Sequence, residues 1–366
     1  MEKKIRVGIV FGGRSAEHEV SLQSARNVLE ALDRDAYEPV LLGIDREGRW
    51  HLEQSSRRLF ESARRLPNLE SDPASEVALV ARGEGSRLLD LSGKRELGKL
   101  DVIFPVLHGP YGEDGSVQGL CRLANIPCVG AGVLGSAVGM DKDVMKRLLR
   151  DAGIPTARFL VLARGAPAPD FASAAAALGA PLFVKPANLG SSVGVSRTEK
   201  AEEYARALET AFSYDTKVLI EEYIEGREIE CAVLGNTDPV ATVPGEIVTG
   251  RSHRFYDYEA KYIDENGAAL QIPARLDPAA TAKVRALAVK AFTTLCCQGM
   301  ARVDMFLREG GELLVNEINT IPGFTRISMY PKLWEASGVP YRVLVDRLIR
   351  LAIERHSIEL GLKTTP

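Results

Sequence analysis

The sequence predicts an α/β protein that begins with a parallel β-sheet. An apolar strand from Val7 to Phe11 runs into a glycine turn at 12–15, a helical pattern covers about 19–32, and a second apolar strand covers 38–44. A strand, a helix and a strand in this order form the unit from which parallel sheets are built. A hairpin pattern at 301–318 adds an antiparallel, α+β element near the carboxyl end. We therefore expect a mixed α/β chain whose first domain contains a parallel sheet.

Length and composition predict an ordinary globular protein. The chain has 366 residues, a length typical of about two or three domains. Hydrophobic residues make up 45%, charged residues 26% and aromatic residues 6%, which is the usual range for globular chains. The formal net charge of −3 gives no indication of nucleic acid or a membrane surface as a partner. No apolar run approaches the roughly 20 residues that a membrane-spanning helix needs.

Cysteine usage indicates a reducing compartment. The number of cysteines is odd and no pair has CxxC spacing, which argues against a disulfide framework or a zinc site. The apolar stretch at 5–11 is too short and too interrupted for a signal peptide. We therefore expect a cytoplasmic protein. The five cysteines are Cys121, Cys128, Cys231, Cys296 and Cys297.

The elements that follow the first strand are predicted from periodicity and from stop signals. Ser15 is the expected N-cap of the first helix, and the acidic Glu17 and Glu19 suit its first turn. Residues 54–99 are polar and weakly patterned, and we interpret them as a peripheral insertion. The next elements in this region are a buried strand at 101–107, a short strand at 128–130 and a small-residue helix that begins near residue 136.

A second unit is expected to begin near Asp141. Its first helix, at 142–152, places Val144, Leu148 and Leu149 on one side and is stopped by Gly153-Ile-Pro155. An amphipathic helix at 341–356 is expected to turn Leu344, Leu348 and Leu351 inward. The elements between these two are a helix at 172–178 and strands at 182–186, 217–223 and 229–234.

The hairpin near the carboxyl end is the most informative element. Strands at 301–307 and 312–318 flank a turn at 308–311. A slip of one residue in their pairing would move one set of side chains to the other face, so the interpretation depends on the register. The register that we expect pairs Leu307 with Glu312, Asp304 with Val315 and Arg302 with Glu317.

In that register, four polar side chains share one face of the hairpin. Asp304, Glu317 and Asn319 supply two carboxylates and an amide oxygen, which are ligands that Mg²⁺ accepts together with substrate phosphates. Arg302 lies beside them and suits the charge of a transferring phosphoryl group or an acyl oxyanion. A surface hairpin with ordinary ion pairs is an equally good interpretation of the spacing alone.

Two further stretches are candidates for nucleotide contacts. A glycine-serine stretch at 189–194 follows Lys185 and resembles neither a Walker A loop nor GxGxxG, although its amides suit phosphate. Lys142 and Lys185 offer point charges for phosphate oxygens. The strand end at 220–224, followed by Glu228, offers backbone groups for an adenine edge and a carboxylate for ribose hydroxyls. A plain turn and a solvated strand end are the alternatives, and each is favoured when its stretch is taken alone.

Glu17 and His108 are candidates in the first domain. Both lie just beyond the carboxyl ends of predicted parallel strands, where open α/β sheets bind ligands. A carboxylate at this position suits a substrate ammonium group. A helix-dipole partner for Glu17 and a loop histidine for His108 are the alternatives, and each is at least as good an interpretation when its residue is taken alone.

Taken together, the motifs strongly resemble those of D-alanine–D-alanine ligases. The resemblance runs from about residue 4 to about residue 350, with every motif in the family's order. Residues 54–99 make the chain longer than the shortest relatives and similar to the long-form members. The matching stretches are FGGRSAEHEVS at 11–21, HGPYGEDG at 108–115 with QG at 118–119, MDK at 140–142, VKP at 184–186, GSSVG at 190–194, FYDYEAKY at 255–262, ARVD at 301–304 and NEINTIPG at 316–323.

The resemblance implies an ATP-grasp fold in three parts. An amino-terminal α/β domain at 1–140, with the insertion at 54–99, binds the first substrate. A central ATP-grasp subdomain at 141–220 and a carboxyl-terminal one at 221–366 clamp ATP between two sheets, and the latter carries the metal and substrate residues. The resemblance also implies a homodimer.

The resemblance assigns a role to each candidate residue. The ATP contacts it implies are Lys142, Lys185, Ser191, Glu221, Glu228 and Lys261, with the backbone of Glu222, Tyr223 and Ile224 at the adenine edge. The implied ligands of two Mg²⁺ ions, which Mn²⁺ can replace, are Asp304, Glu317 and Asn319. The implied substrate residues are Glu17, His108, Lys261, Tyr262, Arg302 and Ser328. The implied catalytic groups are Arg302 and the Gly323 amide at the oxyanion, and a Glu17–Ser191–Tyr262 proton relay.

The implied reaction joins two D-alanine molecules through an acyl phosphate for peptidoglycan precursor synthesis. A tyrosine at position 262 is similar to the pattern of the D-alanine-specific members, which favours D-alanine as the acceptor. A ligase that makes D-alanyl-D-lactate is the nearest alternative. A nucleotide-binding regulator that has lost catalysis is an alternative of another class, and the intact Arg302, Asp304, Glu317 and Asn319 set argues against it. A dinucleotide-dependent dehydrogenase would rest on the first strand, helix and strand alone, and the chain lacks the GxGxxG that it needs.

Overall fold

A computed structural model describes residues 3–52, 76–81, 86–91, 95–249 and 268–363. The amino-terminal elements are β1 (Ile5–Gly12), α1 (His18–Ala31), β2 (Tyr37–Ile44), β3 (Trp50–Leu52), β4 (Val77–Ala81), β5 (Ser86–Asp90), β6 (Arg95–Glu96), β7 (Val102–Pro105), α2 (Ser116–Leu123) and α3 (Val133–Met140). The middle elements are α4 (Lys142–Asp151), β8 (Phe159–Ala163), α5 (Phe171–Leu178), β9 (Leu182–Pro186), β10 (Ser196–Thr198), α6 (Ala201–Tyr214) and β11 (Lys217–Glu222). The last elements are β12 (Arg227–Gly235), β13 (Val240–Ala241), β14 (Gly245–Thr249), β15 (Ala268–Gln271), α7 (Pro278–Thr294), β16 (Gly299–Leu307), β17 (Leu313–Asn319), α8 (Met329–Ala336) and α9 (Tyr341–Leu360).

The first sheet has the order β3-β2-β1-β7 and confirms the predicted parallel start. Strand β1 pairs in parallel with both β2 and β7, and β3 is an antiparallel edge. Val7, Ile9 and Phe11 pack in one core with α1, while Val10 packs in the core on the other face. Burial on both faces explains why β1 is apolar along its length. The carboxyl ends of β1 and β7 therefore lie side by side.

Helix α1 begins two residues later than a Ser15 cap requires, so that N-cap prediction was wrong. Glu17 occupies the N-cap position, without a side-chain cap hydrogen bond. Ser15 instead accepts a hydrogen bond from the Glu17 amide through Oγ, at 3.1 Å, and its carbonyl accepts from the His18 amide. The extra turn between strand and helix places Glu17 at the edge of a large cavity.

The described part of the 54–99 stretch contains more structure than its sequence pattern predicts. Strands β4, β5 and β6 form a small antiparallel sheet. Val77 and Leu88 are buried in the core that covers the outer face of the first sheet. Strands of two to five residues are too short to show a clear alternation of side chains, which is why the pattern was missed. Similarly, the strand expected at 128–130 is a single bridge between Cys128 and Ile103.

The second and third sheets form the central and carboxyl-terminal parts of the chain. The second sheet is antiparallel with the order β10-β9-β11-β8, and helices α5 and α6 pack on one face. The third has the order β15-β14-β12-β16-β17, with β13 paired to β12. One face of the third sheet packs against α7, and the other packs against α8 and α9. None of the described helices is long and apolar enough to cross a lipid bilayer.

The predicted hairpin is present, but its predicted register was wrong. Leu307 lies opposite Leu313 instead of Glu312, and a β-bulge follows at Asn316. The turn is one residue longer than expected, and the extra residue at the bulge shifts the pairing again. The observed pairs that carry the polar side chains are Asp304 with Glu317 and Arg302 with Asn319. All four side chains therefore share one face, as expected, although the partners differ.

The inward face of α4 also differs from the prediction. Leu148 is 39% exposed, while Met145, Lys146 and Leu149 are buried. A lysine in the middle of the buried face shifts that face away from Leu148, and Lys146 forms an ion pair with Glu221. Periodicity alone assigns a lysine to the solvent side, which explains the error.

Candidate active site

Two adjoining cavities lie where the three sheets meet. The larger, of about 590 Å³, lies between the amino-terminal end of α1, the loop after β7 and the face of β16 and β17. The smaller, of about 280 Å³, lies between the second and third sheets. The residues that line both cavities are Lys142, Leu189, Gly190, Glu230 and Glu317. The two cavities therefore form one continuous cleft. After the roles that the sequence resemblance implies, we call the larger one the substrate cavity and the smaller one the nucleotide cavity.

Arg302 is held by two carboxylates at the junction of the cavities. Its Nε and Nη2 donate to the two oxygens of Asp304, each at 2.7 Å, and Nε lies 2.9 Å from Glu230 Oε2. Burial alone would lower the pKa of Arg302, but the charges of Asp304, Glu230 and Glu317 outweigh it and hold the pKa well above its usual value. The guanidinium is therefore a fixed positive charge in the cleft.

The three oxygen-bearing side chains of the hairpin lie beside this arginine. Glu317 Oε2 is 3.3 Å from Lys142 Nζ, and Lys142 also donates to the carbonyl of Leu189. The Oδ1 atom of Asn319 is buried and has no hydrogen-bond partner among the described residues. An unsatisfied buried oxygen normally costs free energy, so a ligand for it is expected.

The nucleotide cavity combines an apolar slot with paired charges. Its walls include Phe183, Tyr223, Ile224 and Phe306, and the rings of Phe183 and Tyr223 are stacked with centroids 6.1 Å apart. Apolar and aromatic walls suit a planar base. In the same cavity, Lys185 Nζ lies 2.6 Å from Glu221 Oε2.

The loop between β9 and β10 closes over the junction. Ser191 and Ser192 have φ values of 50° and 58°, which are uncommon for residues with a side chain. Ser191 Oγ donates a hydrogen bond to Glu17 Oε1. This hydrogen bond links the loop between β9 and β10 to the first domain, and its two residues are 174 positions apart in the sequence.

His108 is a buried, neutral connector in the substrate cavity. Its Nδ1 lies 2.9 Å from the carbonyl oxygen of Ile321, and its Nε2 lies 3.2 Å from Ser24 Oγ. Burial lowers the pKa of His108, although the charge of Glu17 acts in the opposite direction. The tautomer that fits donates from Nδ1 to the carbonyl and accepts from Ser24 at Nε2. His108 therefore joins the first domain to the loop after β17.

Two family models match this chain: the D-ala D-ala ligase N-terminus at residues 6–131 and the D-ala D-ala ligase C-terminus at residues 148–350. The chain belongs to the D-alanine–D-alanine ligase family.

Individual members of the D-alanine–D-alanine ligase family are similar over nearly the whole chain. The D-alanine–D-alanine ligase of Shouchella clausii is 54% identical, with 100% of this chain and 99% of the relative covered. The structure of the ligase from Coxiella burnetii has a TM-score of 0.84 and 39% identity, covering 98% of this chain and 96% of that one. A Bacillus anthracis ligase complexed with ATP has a TM-score of 0.72 and 27% identity, covering 97% and 99%. These matches confirm the predicted ATP-grasp fold and the predicted ligase class.

The structure of this family member brings most of the predicted site residues together. Ser328 Oγ accepts from the Thr325 amide at 3.1 Å. It also lies 2.8 Å from where a Cβ on Gly323 would be, so a side chain at residue 323 would displace the Ser328 hydroxyl. The predicted residues that line the substrate cavity are Glu17, His108, Lys142, Ser191, Arg302, Glu317, Asn319, Gly323 and Ser328. Those that line the nucleotide cavity are Lys142, Lys185, Glu221, Glu222, Tyr223, Ile224, Glu228, Asp304 and Glu317. Lys261 and Tyr262, with the rest of the 255–262 motif, lie outside the described residues.

Sequence reasoning missed three buried charged residues of the ligase site. Glu113 accepts hydrogen bonds from the Gly109 amide at 2.7 Å and the Ile321 amide at 3.1 Å. Burial, helped by the charges of Glu17 and Glu317, raises its pKa to about 8. Glu113 thus connects the loop after β7 to the loop after β17.

The other two missed residues carried a signal in their spacing. Glu230 follows Glu228 by two residues on β12, which places both carboxylates on one strand face. Lys146 follows Lys142 by four residues on α4, which places both ammonium groups on one helix face.

Proposed function

We propose that this ligase joins two molecules of D-alanine into D-alanyl-D-alanine, with ATP converted to ADP and phosphate, as a step in peptidoglycan precursor synthesis. The observation that carries the proposal is the continuous cleft. It connects the nucleotide cavity, which contains Lys142 and Lys185, to the substrate cavity, which contains Glu17. The side chains at the junction of the two cavities are Arg302, Asp304, Glu317 and Asn319.

ATP binds with its base in the slot and its phosphates at the junction. The backbone of 222–224 follows the end of β11 and offers donors and acceptors to the adenine edge. The carboxylate of Glu221, next to this edge, accepts a hydrogen bond from the exocyclic amino group of adenine. Lys142, Lys185 and the amides of the 190–194 loop neutralise the phosphates. The remaining contacts in the proposal are Glu228 with the ribose hydroxyls and Lys261 with the phosphates.

The residues at the junction fit Mg²⁺. Asp304, Glu317 and Asn319 present hard oxygen ligands, and the buried Oδ1 of Asn319 lacks another partner among the described residues. We propose that they hold two Mg²⁺ ions, or Mn²⁺ in their place, which would neutralise charge on the transferring phosphoryl group. Asp304 must then loosen its contact with Arg302, and Glu230 keeps the guanidinium in position.

Acid–amine coupling needs an activated carboxyl group, because hydroxide is a very poor leaving group. Glu17 binds the ammonium group of the first D-alanine, whose carboxylate attacks the γ-phosphorus of ATP to give an acyl phosphate and ADP. The amine of the second D-alanine, whose carboxylate meets Ser328, attacks the acyl carbon. Arg302 and the Gly323 amide stabilise the tetrahedral oxyanion, and phosphate leaves. The attacking amine loses a proton, and the Glu17–Ser191 hydrogen bond is the described part of the proposed relay to Tyr262.

Phosphate release with a panel of acceptors tests this proposal. The protein with ATP and Mg²⁺ should release phosphate with D-alanine alone and form the dipeptide, detected by mass spectrometry. We propose D-alanine as the acceptor because Tyr262 matches the D-alanine-specific members. Preferential formation of a D-alanyl-D-lactate ester when D-lactate is added would contradict that choice.

Variants of the hairpin test the assignment of the active-site residues. Arg302→Ala and Glu317→Gln should each lower kcat by about 10²–10³, the usual effect of removing one oxyanion or phosphoryl stabiliser. Glu312→Gln is the matched control, because Glu312 lies on the same hairpin but is exposed and pairs with Arg308. Circular dichroism checks that each variant is folded. Near-normal turnover in both Arg302→Ala and Glu317→Gln would contradict the active-site map.

We also infer a cytoplasmic location and a homodimeric assembly. The use of ATP and the five free cysteines support a reducing, ATP-containing compartment. The dimer is expected from the family resemblance, and light scattering coupled to size-exclusion chromatography measures it directly.

A further inference from the structure

A buried lysine lies behind the nucleotide cavity. Lys146 of α4 has 0% exposed surface, and its Nζ lies 2.9 Å from Glu221 Oε1. The other oxygen of that carboxylate, Oε2, lies 2.6 Å from Lys185 Nζ. The ring centroid of Phe159 lies 5.6 Å from Lys146 Nζ. Glu221 therefore bridges two lysines, one on each oxygen.

Burial makes this lysine costly for the fold. Desolvation lowers the pKa of Lys146, and the charge of Glu221 opposes that shift while Lys185 adds to it. Replacing a buried ion pair by apolar residues of similar volume is often neutral or stabilising. Stability alone therefore gives no reason for a lysine here, which points to a role in the site.

Lys146 cannot touch a ligand itself. Glu221 and Lys185 both line the nucleotide cavity, but Lys146 has no accessible surface and lies beneath them. One helical turn earlier, Lys142 does reach the cavity. Any effect of Lys146 on a nucleotide must therefore pass through Glu221.

The hydrogen-bonding groups of the nucleobase indicate how Lys146 can affect nucleotide binding through Glu221. Adenine presents an amino donor where guanine presents a carbonyl acceptor. An ionised carboxylate only accepts hydrogen bonds, so it binds the adenine amino group and repels the guanine oxygen, whereas a protonated carboxyl can also donate. Burial raises the pKa of Glu221, but the charges of Lys146 and Lys185 outweigh it and hold the pKa below its usual value. When Lys185 turns to a phosphate, Lys146 is the cation that stays.

We propose that Lys146 is a positioning residue for nucleobase selection, which fixes Glu221 as an acceptor-only carboxylate and so makes the enzyme prefer ATP to GTP. The inference rests on the proposed ATP site. It adds a residue that selects the base without contacting it.

Kinetics with two nucleotides test the inference. In Lys146→Met, the KM for ATP should rise about tenfold or more, and the ratio of kcat/KM for ATP over GTP should fall at least tenfold. The kcat at saturating ATP and the KM for D-alanine should stay within about twofold. Arg147→Met is the matched control, because Arg147 is the next residue on α4, its side chain is 56% exposed, and it pairs with Asp143 instead of Glu221. It should leave the nucleotide preference unchanged.

A double-mutant cycle separates this role from a general loss of packing. In Glu221→Gln, the side-chain amide offers both a hydrogen-bond donor and an acceptor, so this variant should by itself lose the preference for ATP over GTP. Adding Lys146→Met to Glu221→Gln should change the preference by less than about twofold, because the route through a charged Glu221 is already absent. An equal effect of Lys146→Met in both backgrounds would overturn the inference, as would a folded Lys146→Met with the normal preference.

Two further measurements keep the test decisive. Lys146→Arg keeps the charge and should retain the ATP preference within about threefold, and loss of preference there also counts against the inference. Calorimetric titration with ADP and GDP reports base selection without turnover. If the chain lacked D-alanine-dependent ATP cleavage, the proposed function would fail, while the ADP-to-GDP affinity ratio would still decide the role of Lys146.

Discussion

At the scale of single residues, buried charge marks the site more clearly than residue type does. Glu113, Glu230 and Lys146 are all buried, and each contacts a residue or loop that borders the cleft. Polar groups are rarely buried without partners. The sequence motifs pointed to the residues that reach ligands directly. They assigned no role to Glu113, Glu230 or Lys146, because the burial of a charge depends on the packing of distant segments.

Glu113 makes stability depend on pH in a predictable direction. Its pKa in the folded protein is about 8, above the ordinary value of 4.5. The folded state therefore binds this proton more tightly than the unfolded state. The free energy of unfolding should fall as pH rises from about 5 to about 8, by up to about 1.4 kcal/mol per pH unit from this group.

Glu113→Gln removes that contribution. The difference in unfolding free energy between the normal protein and Glu113→Gln, from urea unfolding in EDTA, should shrink as pH rises through this window. The variant also loses one acceptor for the Gly109 and Ile321 amides, which adds an offset that does not depend on pH. The exposed Glu47→Gln is the control, and its difference should stay flat. A flat difference for Glu113→Gln as well would show that Glu113 is not titrating in the folded state.

At the scale of elements, periodicity predicted the strands and helices better than their ends and registers. The first βαβ unit and the carboxyl-terminal hairpin are present where the patterns placed them. The bulge at Asn316 and the two-residue delay in the start of α1 relative to a Ser15 cap were not predicted. Both are single-residue choices between nearly equal backbone arrangements, and tertiary contacts decide them. The face of the hairpin was still correct, because the longer turn and the bulge together preserve the alternation.

Helix α7 offers a test at this scale. Asp277 caps the helix by accepting a hydrogen bond from the Ala280 amide at 2.7 Å, and Pro278 follows as the first helical residue. Asp277 is exposed and lies outside both cavities. Asp277→Ala should lower the free energy of unfolding by about 1 kcal/mol while kcat and KM stay unchanged. Asp277→Asn keeps the capping oxygen and should lose far less, and equal losses in the two variants would count against the cap.

At the scale of the whole molecule, the cleft is assembled from contacts that no local pattern contains. The hydrogen bond from Ser191 to Glu17 spans 174 residues, and that from His108 to the Ile321 carbonyl spans 213. Periodicity cannot predict which strand ends meet across such distances. The placement of these residues in one site was therefore predicted from the family resemblance and not from the elements.

The shared wall of the two cavities predicts that their ligands bind cooperatively. Ser191 lines the substrate cavity and Ser192 the nucleotide cavity, although both belong to one loop. A nucleotide that contacts this loop also stabilises the hydrogen bond from Ser191 to Glu17, which holds Glu17 in place for the first D-alanine. Coupling between two sites on one protein is typically about 1–3 kcal/mol and is reciprocal. D-alanine should therefore raise the affinity for ADP at least fivefold, and ADP should raise the affinity for D-alanine by the same factor.

Calorimetric titrations with ADP, Mg²⁺ and D-alanine measure this coupling without turnover. Ser191→Ala removes the hydrogen bond to Glu17 and should reduce the coupling to less than about twofold, while ADP alone still binds. Ser192→Ala is the matched control on the same loop and should keep the coupling whatever it does to the affinity for ADP itself. A loss of coupling in Ser191→Ala would assign the coupling to the hydrogen bond between Ser191 and Glu17, which links the loop to the first domain. Full coupling in Ser191→Ala would mean that the two cavities communicate through Lys142 and Glu317, which line both, and not through the loop.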